Sequence, residues 1–268
     1  MNEINKTLYI PLYGKAVVSA KGVILHDKKA EEIWQEIQFA LKRKSRSKWL
    51  AYYMSMRAKV FDEFVLSHLN NNQEEYTVLH LGCGLDSRVM RVNAAQFPNC
   101  SWFDVDFPQV IEERKKYFQE TPHYRMLGAD LKSESCLNEL PPSKKAIVIM
   151  EGVAMYLTNE DLSKLFRTLD KKFSEISLLV DVYTEFGAKI SKYKNPVNEV
   201  SAHTMYGLNE PTRILLDTAI QFVQHRELTP VSLINELKGA EKFTFKKLFA
   251  GNFSKKLYRM YEYKKQST

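Results

Sequence analysis

Two kinds of pattern alternate along this chain. Short apolar runs of strand length fall at 78–81, 102–105, 124–130, 146–150 and 176–182. Between them lie stretches whose apolar residues recur every three or four positions, the period of a helix with one buried face. The first follows Asp27, a helix-capping residue, and carries Ala30, Ile33, Trp34, Ile37, Ala40 and Leu41 on one stripe. The second spans 48–69 and turns Tyr53, Val60, Phe61 and Phe64 inward. A third, 108–118, has proline in its first turn. A fourth runs from Thr158 to 173, with Thr158 and Asp161 at capping-box spacing. Alternating strands and helices predict an α/β fold, a parallel doubly wound sheet with its sites at the strands' carboxyl ends.

Outside that rhythm, residues 1–76 read as a helical cap ahead of a 77–183 core. Residues 184–215 are polar, hold Gly187, Pro196, Gly207 and Pro211, and keep no clean period. They are expected to form an insertion over the crevice, a lid that selects the acceptor. In 216–268, a sixth strand is expected at 220–228 and a helix from Pro230 to Lys238, with Gly239 as its stop. The tyrosine-rich ending is expected to be an edge strand protected by lysine.

The chain has 268 residues, 44% of them hydrophobic and 26% charged, which suits one large α/β domain with a substantial core. It has no run of about 18 apolar residues and no hydrophobic leader, so a cytoplasmic protein without a membrane span is expected. Cys83, Cys100 and Cys136 lack metal-ligand spacing and read as free thiols, so no metal is expected. Basic residues exceed acidic ones, 39 to 32, and are spread too evenly to argue a nucleic-acid partner. The basic run 41–48 reads as a solvated helix terminus.

Chemistry concentrates at 77–106. A buried strand stops at Gly82-Cys83-Gly84, and the next strand ends on Asp106 about 20 residues later, the spacing of a ribose-binding acid. A dinucleotide fingerprint would need a third glycine where Ser87 stands. S-adenosylmethionine has no pyrophosphate and needs only the turn and the acid. Asp130 and Glu151 end two further strands, and three acids over one crevice suit a ligand rich in donors. Arg57 shares the inward stripe of the 48–69 helix and needs an anion. That anion is either a nearby carboxylate, Asp62 or Glu63, or the carboxylate of an amino-acid-like cofactor.

Four segments together resemble the leucine carboxyl methyltransferase family, and within it the bacterial O-methyltransferases of the tetracenomycin polyketide type. They are TLYIPLYGKAVVSAKGVILHDKKAEEI, TVLHLGCGLDSRVMRV, WFDVDFPQVIEERKKYF and MEGVAMYLTNEDL, with a fainter TMYGLNEPTRI. The resemblance covers roughly residues 7 to 215. It implies a seven-stranded class I, Rossmann-like methyltransferase sheet with its last strand antiparallel, and S-adenosylmethionine as cofactor. By the family's pattern Arg57 holds the methionine carboxylate, Gly82 lies beside the amino-acid moiety with Gly84 in the same turn, and Asp106 takes the ribose hydroxyls. Asp130 and Leu131 hold the adenine, and Glu151 sits near the methionine. Lys15 stands where many relatives carry arginine, which weakens a bidentate role there.

Glu151-Gly152 occupies the place where amino-methylating enzymes carry an Asn/Asp-Pro-Pro motif, which favours oxygen as acceptor. The expected partner is a small molecule bearing a carboxylate or a phenol. Tyr156 and Arg213 are candidates to orient it. His203 is the histidine best placed as a base, although a surface histidine is the plainer reading. Two rivals remain: a methyltransferase acting on a protein terminus or a tRNA base, and a nicotinamide-dependent oxidoreductase.

Overall fold

The predicted alternation closes into one seven-stranded sheet. A computed structural model describes residues 7–37, 39–42, 44–70, 74–194 and 204–267. The strands are β1 (Tyr76–Leu81), β2 (Cys100–Asp106), β3 (Tyr124–Gly128), β4 (Lys145–Met150), β5 (Glu175–Tyr183), β6 (Gln221–Arg226) and β7 (Tyr258–Lys265), in spatial order β3-β2-β1-β4-β5-β7-β6. The first five run parallel, and β7 lies antiparallel between β5 and β6. The strand order reverses between β1 and β4, where an open α/β sheet forms its crevice.

Side chains alternate across the strands, so each strand feeds two cores. Val78, Ile147, Ile149 and Leu179 join the core under the N-terminal cap. Leu79, Leu81, Val148 and Val180 join the opposite core, with Phe166 of a covering helix. The cap consists of α1 (Tyr9–Ala20), α2 (Lys28–Glu36) and α3 (Lys48–Leu69). The α3 bounds match the sequence expectation. Asp27 caps α2 by accepting from the Ala30 amide. Short α4 (Arg88–Arg91) follows the glycine turn, then α5 (Pro108–Arg114) and α6 (Asn159–Lys172). Thr158 and Asp161 form the expected capping box on α6. After β5 come α7 (Glu185–Lys194), then α8 (Val231–Ile234), α9 (Gly239–Leu248) and α10 (Asn252–Leu257) between β6 and β7.

Several expectations need correction. The α2 stripe does not reach Leu41, because Ile37 already takes an extended backbone. The expected 108–118 helix closes at Arg114, although Phe118 still packs into the core. Gly239 has the left-handed φ of a stop, +52°, yet it is the first residue of α9. The tyrosine-rich ending is an inner strand, and β6 is the edge. Tyr261 and Tyr263 are fully buried there, and their hydroxyls donate to the carbonyls of Leu208 and Pro211 at 3.0 Å. A tyrosine that can satisfy its hydroxyl tolerates such burial. All three cysteines are free and buried. No helix among the described residues is long and apolar enough to cross a membrane.

Candidate functional site

At the carboxyl ends of β1, β2 and β4 the structure opens a cavity of about 910 Å³. That is near the upper end of ligand sites, about 300–1,000 Å³. One wall is the turn after β1. Gly82 takes φ +71° and its amide donates to Val105 at 2.7 Å, which ties the turn to β2. A Cβ at Gly82 would lie 2.7 Å from the Val153 side chain. Gly82→Ala should therefore cost about 1–3 kcal/mol through strain and crowding. A thermal melt checks this, and an unchanged midpoint would show that Val153 yields freely.

The next amide in this wall fixes the acid. Gly84 N–H donates to Asp106 Oδ2 and Phe107 N–H to Oδ1, each at 2.8 Å. Both oxygens keep a lone pair for a ligand in the cavity. Burial raises the Asp106 pKa above the usual carboxylate range, although the two amides oppose the shift. Asp130 is exposed, accepts from the Lys132 amide at 2.9 Å and lines the cavity beside buried Leu131.

Beneath this wall lies a buried ion network. Arg57, on α3 as predicted, meets Glu151 through Nε and Asp181 through Nη1, each at 3.0 Å. Its Nη1 also donates to the Tyr258 hydroxyl at 3.0 Å. Asp62 serves other cations, Arg88 at 2.6 Å and Arg91 at 2.7 Å, and Glu63 is exposed. The anions of Arg57 are thus carboxylates of the protein, but Glu151 and Asp181 rather than Asp62 or Glu63. Arg88 also pairs with Glu151, and Arg91 with Asp27 and Asp86 at 2.7 Å. Lys15 lines the cavity with its ammonium 2.5 Å from Asp86. Burial alone would raise the Glu151 pKa; Arg57 and Arg88 override it and hold the carboxylate ionised. Of the three acids at the strand ends, one is thus committed to the protein's own cations. Asp106 and Asp130 turn to the cavity, while Glu151 lines it already paired.

The far half of the cavity is aromatic. Tyr156 lines it, and burial pushes its pKa up to about 12, so the hydroxyl stays protonated near neutral pH. Arg213 does not reach it. The 3₁₀ turn Pro211–Ile214 buries Pro211 and Ile214 and sends Arg213 outward, 61% exposed, toward Glu185 at 3.5 Å. His203 lies outside the described residues. From the expected 184–215 lid, Thr204 and Tyr206 line the cavity.

More of this wall comes from a segment the sequence reading missed. Leu248, Phe249, Ser254 and Leu257 line the cavity from α9, α10 and their junction. Phe249 stacks on Trp49 of α3, with centroids 5.7 Å apart and planes 16° apart. Glu241 of α9 fastens the segment to the cap by accepting from Lys48 at 2.9 Å and from Tyr52 at 2.7 Å. The apolar cluster Phe243, Phe245, Leu248 and Phe249 was the available signal.

The family model for leucine carboxyl methyltransferase matches residues 4–170. Tetracenomycin polyketide synthesis O-methyltransferase TcmP of Streptomyces glaucescens is 28% identical over 209 residues, covering 78% of this chain and 76% of that protein. The S-adenosyl-L-methionine-dependent methyltransferase dpfgK of Gibberella zeae is 23% identical over 242 residues, covering 83% and 80%. Among solved structures, a Thermobifida fusca protein assigned as a methyltransferase superposes with a TM-score of 0.56 at 13% identity, covering 95% of this chain and 94% of that one. Geranyl diphosphate methyltransferase, in complex with GPP and sinefungin, superposes at 0.51 with 14% identity, covering 85% and 86%. At such identities these two show the fold, that of the class I methyltransferases.

Proposed function

This chain belongs to the leucine carboxyl methyltransferase family, and from that premise we propose that it methylates a carboxylate oxygen of a small-molecule acceptor. Its cofactor is S-adenosylmethionine, and the nicotinamide alternative falls away. The observation that carries the donor half is Asp106, pinned by two amides above a glycine turn with lone pairs toward the cavity. We assign it the ribose hydroxyls, with Asp130 and Leu131 at the adenine. Gly82, Gly84 and Gly152 leave the backbone bare where the amino-acid part would lie. Arg57, held by Glu151, Asp181 and Tyr258, has one Nη2 hydrogen left for the methionine carboxylate, and Glu151 and Lys15 border the same end.

When bound, S-adenosylmethionine supplies a methyl group already activated by its sulfonium. The chain's own residues then align, dry and orient the reactants. Trp49, Phe249 and Tyr53 exclude water from the acceptor half. The protonated Tyr156 hydroxyl donates to an acceptor oxygen that arrives ionised and takes no proton from it. A carboxylate, ionised near neutral pH, meets that condition, whereas a phenol with a reference pKa of about 10 does not. The rival macromolecular acceptors drew on the basic run 41–48. Here Lys44 lines the cavity and Lys48 is held by Glu241, which suits a small acceptor.

The test is methyl transfer from labelled S-adenosylmethionine to matched aromatic acids and phenols. We expect a product whose label is released by mild base, as from an ester. A base-stable ether would overturn the carboxylate assignment, and label found only in protein or RNA would overturn the small-molecule one.

A further inference from the structure

The buried ion network is not balanced. Among the described residues, four cations (Lys15, Arg57, Arg88 and Arg91) face five carboxylates, Asp27, Asp62, Asp86, Glu151 and Asp181. None of these side chains is more than 8% exposed. The adjoining Arg114–Asp104 pair is balanced, and burial keeps His80 beside it neutral. The network therefore carries one net negative charge beneath the cavity. Asp181 ends one limb of it. Its Oδ1 accepts from Gly152 N–H and its Oδ2 from the Tyr258 hydroxyl, both at 2.7 Å. Its one cation, Arg57, is shared with Glu151.

We propose that Asp181 is a charge-balancing residue that makes this site prefer S-adenosylmethionine to the product S-adenosylhomocysteine. The inference rests on the methyltransferase reading. In the transfer the methyl carbon bonds to the acceptor oxygen as its bond to sulfur breaks, and the electron pair stays on sulfur. The sulfonium becomes a neutral thioether, so the cofactor loses its net positive charge. A buried negative charge attracts the reactant and not the product, and in a poorly screened interior it need not touch the sulfur. Product leaves more readily as a result.

The sign with pH follows from the groups around Asp181. These are Arg57 from α3, Glu151 and the Gly152 amide after β4, and Tyr258 from β7. Arg57 stays charged, Tyr258 stays protonated, and Glu151 is held ionised by its arginines. Burial raises the Asp181 pKa against the pull of Arg57, so Asp181 is the member that takes up a proton as pH falls. A bound cation favours the carboxylate and expels that proton. Affinity for S-adenosylmethionine therefore rises with pH through the Asp181 titration more steeply than affinity for S-adenosylhomocysteine, because Asp106, also raised by burial, acts at the ribose of both ligands alike.

Isothermal titration of the full chain with both ligands, near neutral pH and at about pH 5, tests this. Asp181→Asn should narrow the preference about ten-fold, equivalent to about 1.4 kcal/mol, through the S-adenosylmethionine arm. Tyr258→Phe, which removes a hydrogen bond and no charge, should keep the ratio within about two-fold. Equal losses for both ligands in Asp181→Asn would overturn the proposal. Should that variant not fold, wild-type titrations in buffers of different ionisation heat decide instead. Greater proton release with S-adenosylmethionine than with S-adenosylhomocysteine supports the proposal, the Asp106 contribution being common to both, and equal release overturns it. Failure of the wild type to bind either ligand would count against the methyltransferase reading itself.

Discussion

Asp106→Ala is expected to lower affinity for S-adenosylmethionine by about 100-fold or more while the protein still folds. In the proposed site the carboxylate accepts from two ribose hydroxyls, and charge-assisted hydrogen bonds contribute about 1.5–3 kcal/mol each. Two of them give about 3 kcal/mol or more, which is roughly 100-fold. The fold should lose less. The carboxylate is already disfavoured by burial, and the Gly84 and Phe107 amides it leaves behind border the cavity and can turn to water. Calorimetric titration paired with a thermal melt separates the two effects. Affinity retained within a few-fold would remove Asp106 from the ribose role.

The second large effect falls on the fold. Arg88 is 0% exposed and joins Asp62 through Nε at 2.6 Å to Glu151 through Nη2. Arg88→Met keeps the bulk but removes a cation from the interior, leaving Asp62 with Arg91 alone and Glu151 with Arg57 alone. Breaking a buried pair from one side costs about 3–5 kcal/mol, so the urea midpoint should drop sharply. Arg88→Lys should rescue little, because one ammonium cannot replace two nitrogens of a planar fork. A loss below about 1 kcal/mol would mean that Arg91 and Arg57 alone suffice for Asp62 and Glu151, or that a proton neutralises the excess charge at little cost.

Much of this could be read from the residues, where local chemistry and tertiary packing ask for the same thing. The 48–69 helix, the Thr158 capping box and the strand runs are such places, and so is the glycine turn facing Asp106. What failed did so where a residue's context lay elsewhere in the chain. Lysine-flanked tyrosines look like an edge strand until carbonyls at Leu208 and Pro211 satisfy their hydroxyls. Gly239 signals a stop, but a stop does not exclude a helix starting on the same residue. Asp27 was legible as a helix cap and Asp62 as a candidate acid for Arg57, but their pairing with Arg88 and Arg91 was not, because it brings together segments far apart in sequence. The far wall of the cavity was sought in the cap and the irregular 184–215 stretch, and Trp49, Tyr53 and Tyr206 do line it, but Phe249 and Leu257 also reach it, from short helices with weak periodicity.

The strand order also constrains how the molecule is assembled during synthesis. β7 fills the gap between β5 and β6, though it follows both in the chain. Until residue 258 and those after it have emerged from the ribosome, β6 has no neighbour to pair with and one side of β5 stays open. The same late strand delivers Tyr258 to Asp181 and Arg57. A nascent chain can therefore build its glycine turn and Asp106 early, yet it completes the charged floor of the cavity only as the sheet closes. Such non-local pairing is slow to form. A full site thus reports a finished sheet, and a ligand that binds only the full site would draw late intermediates toward the native state.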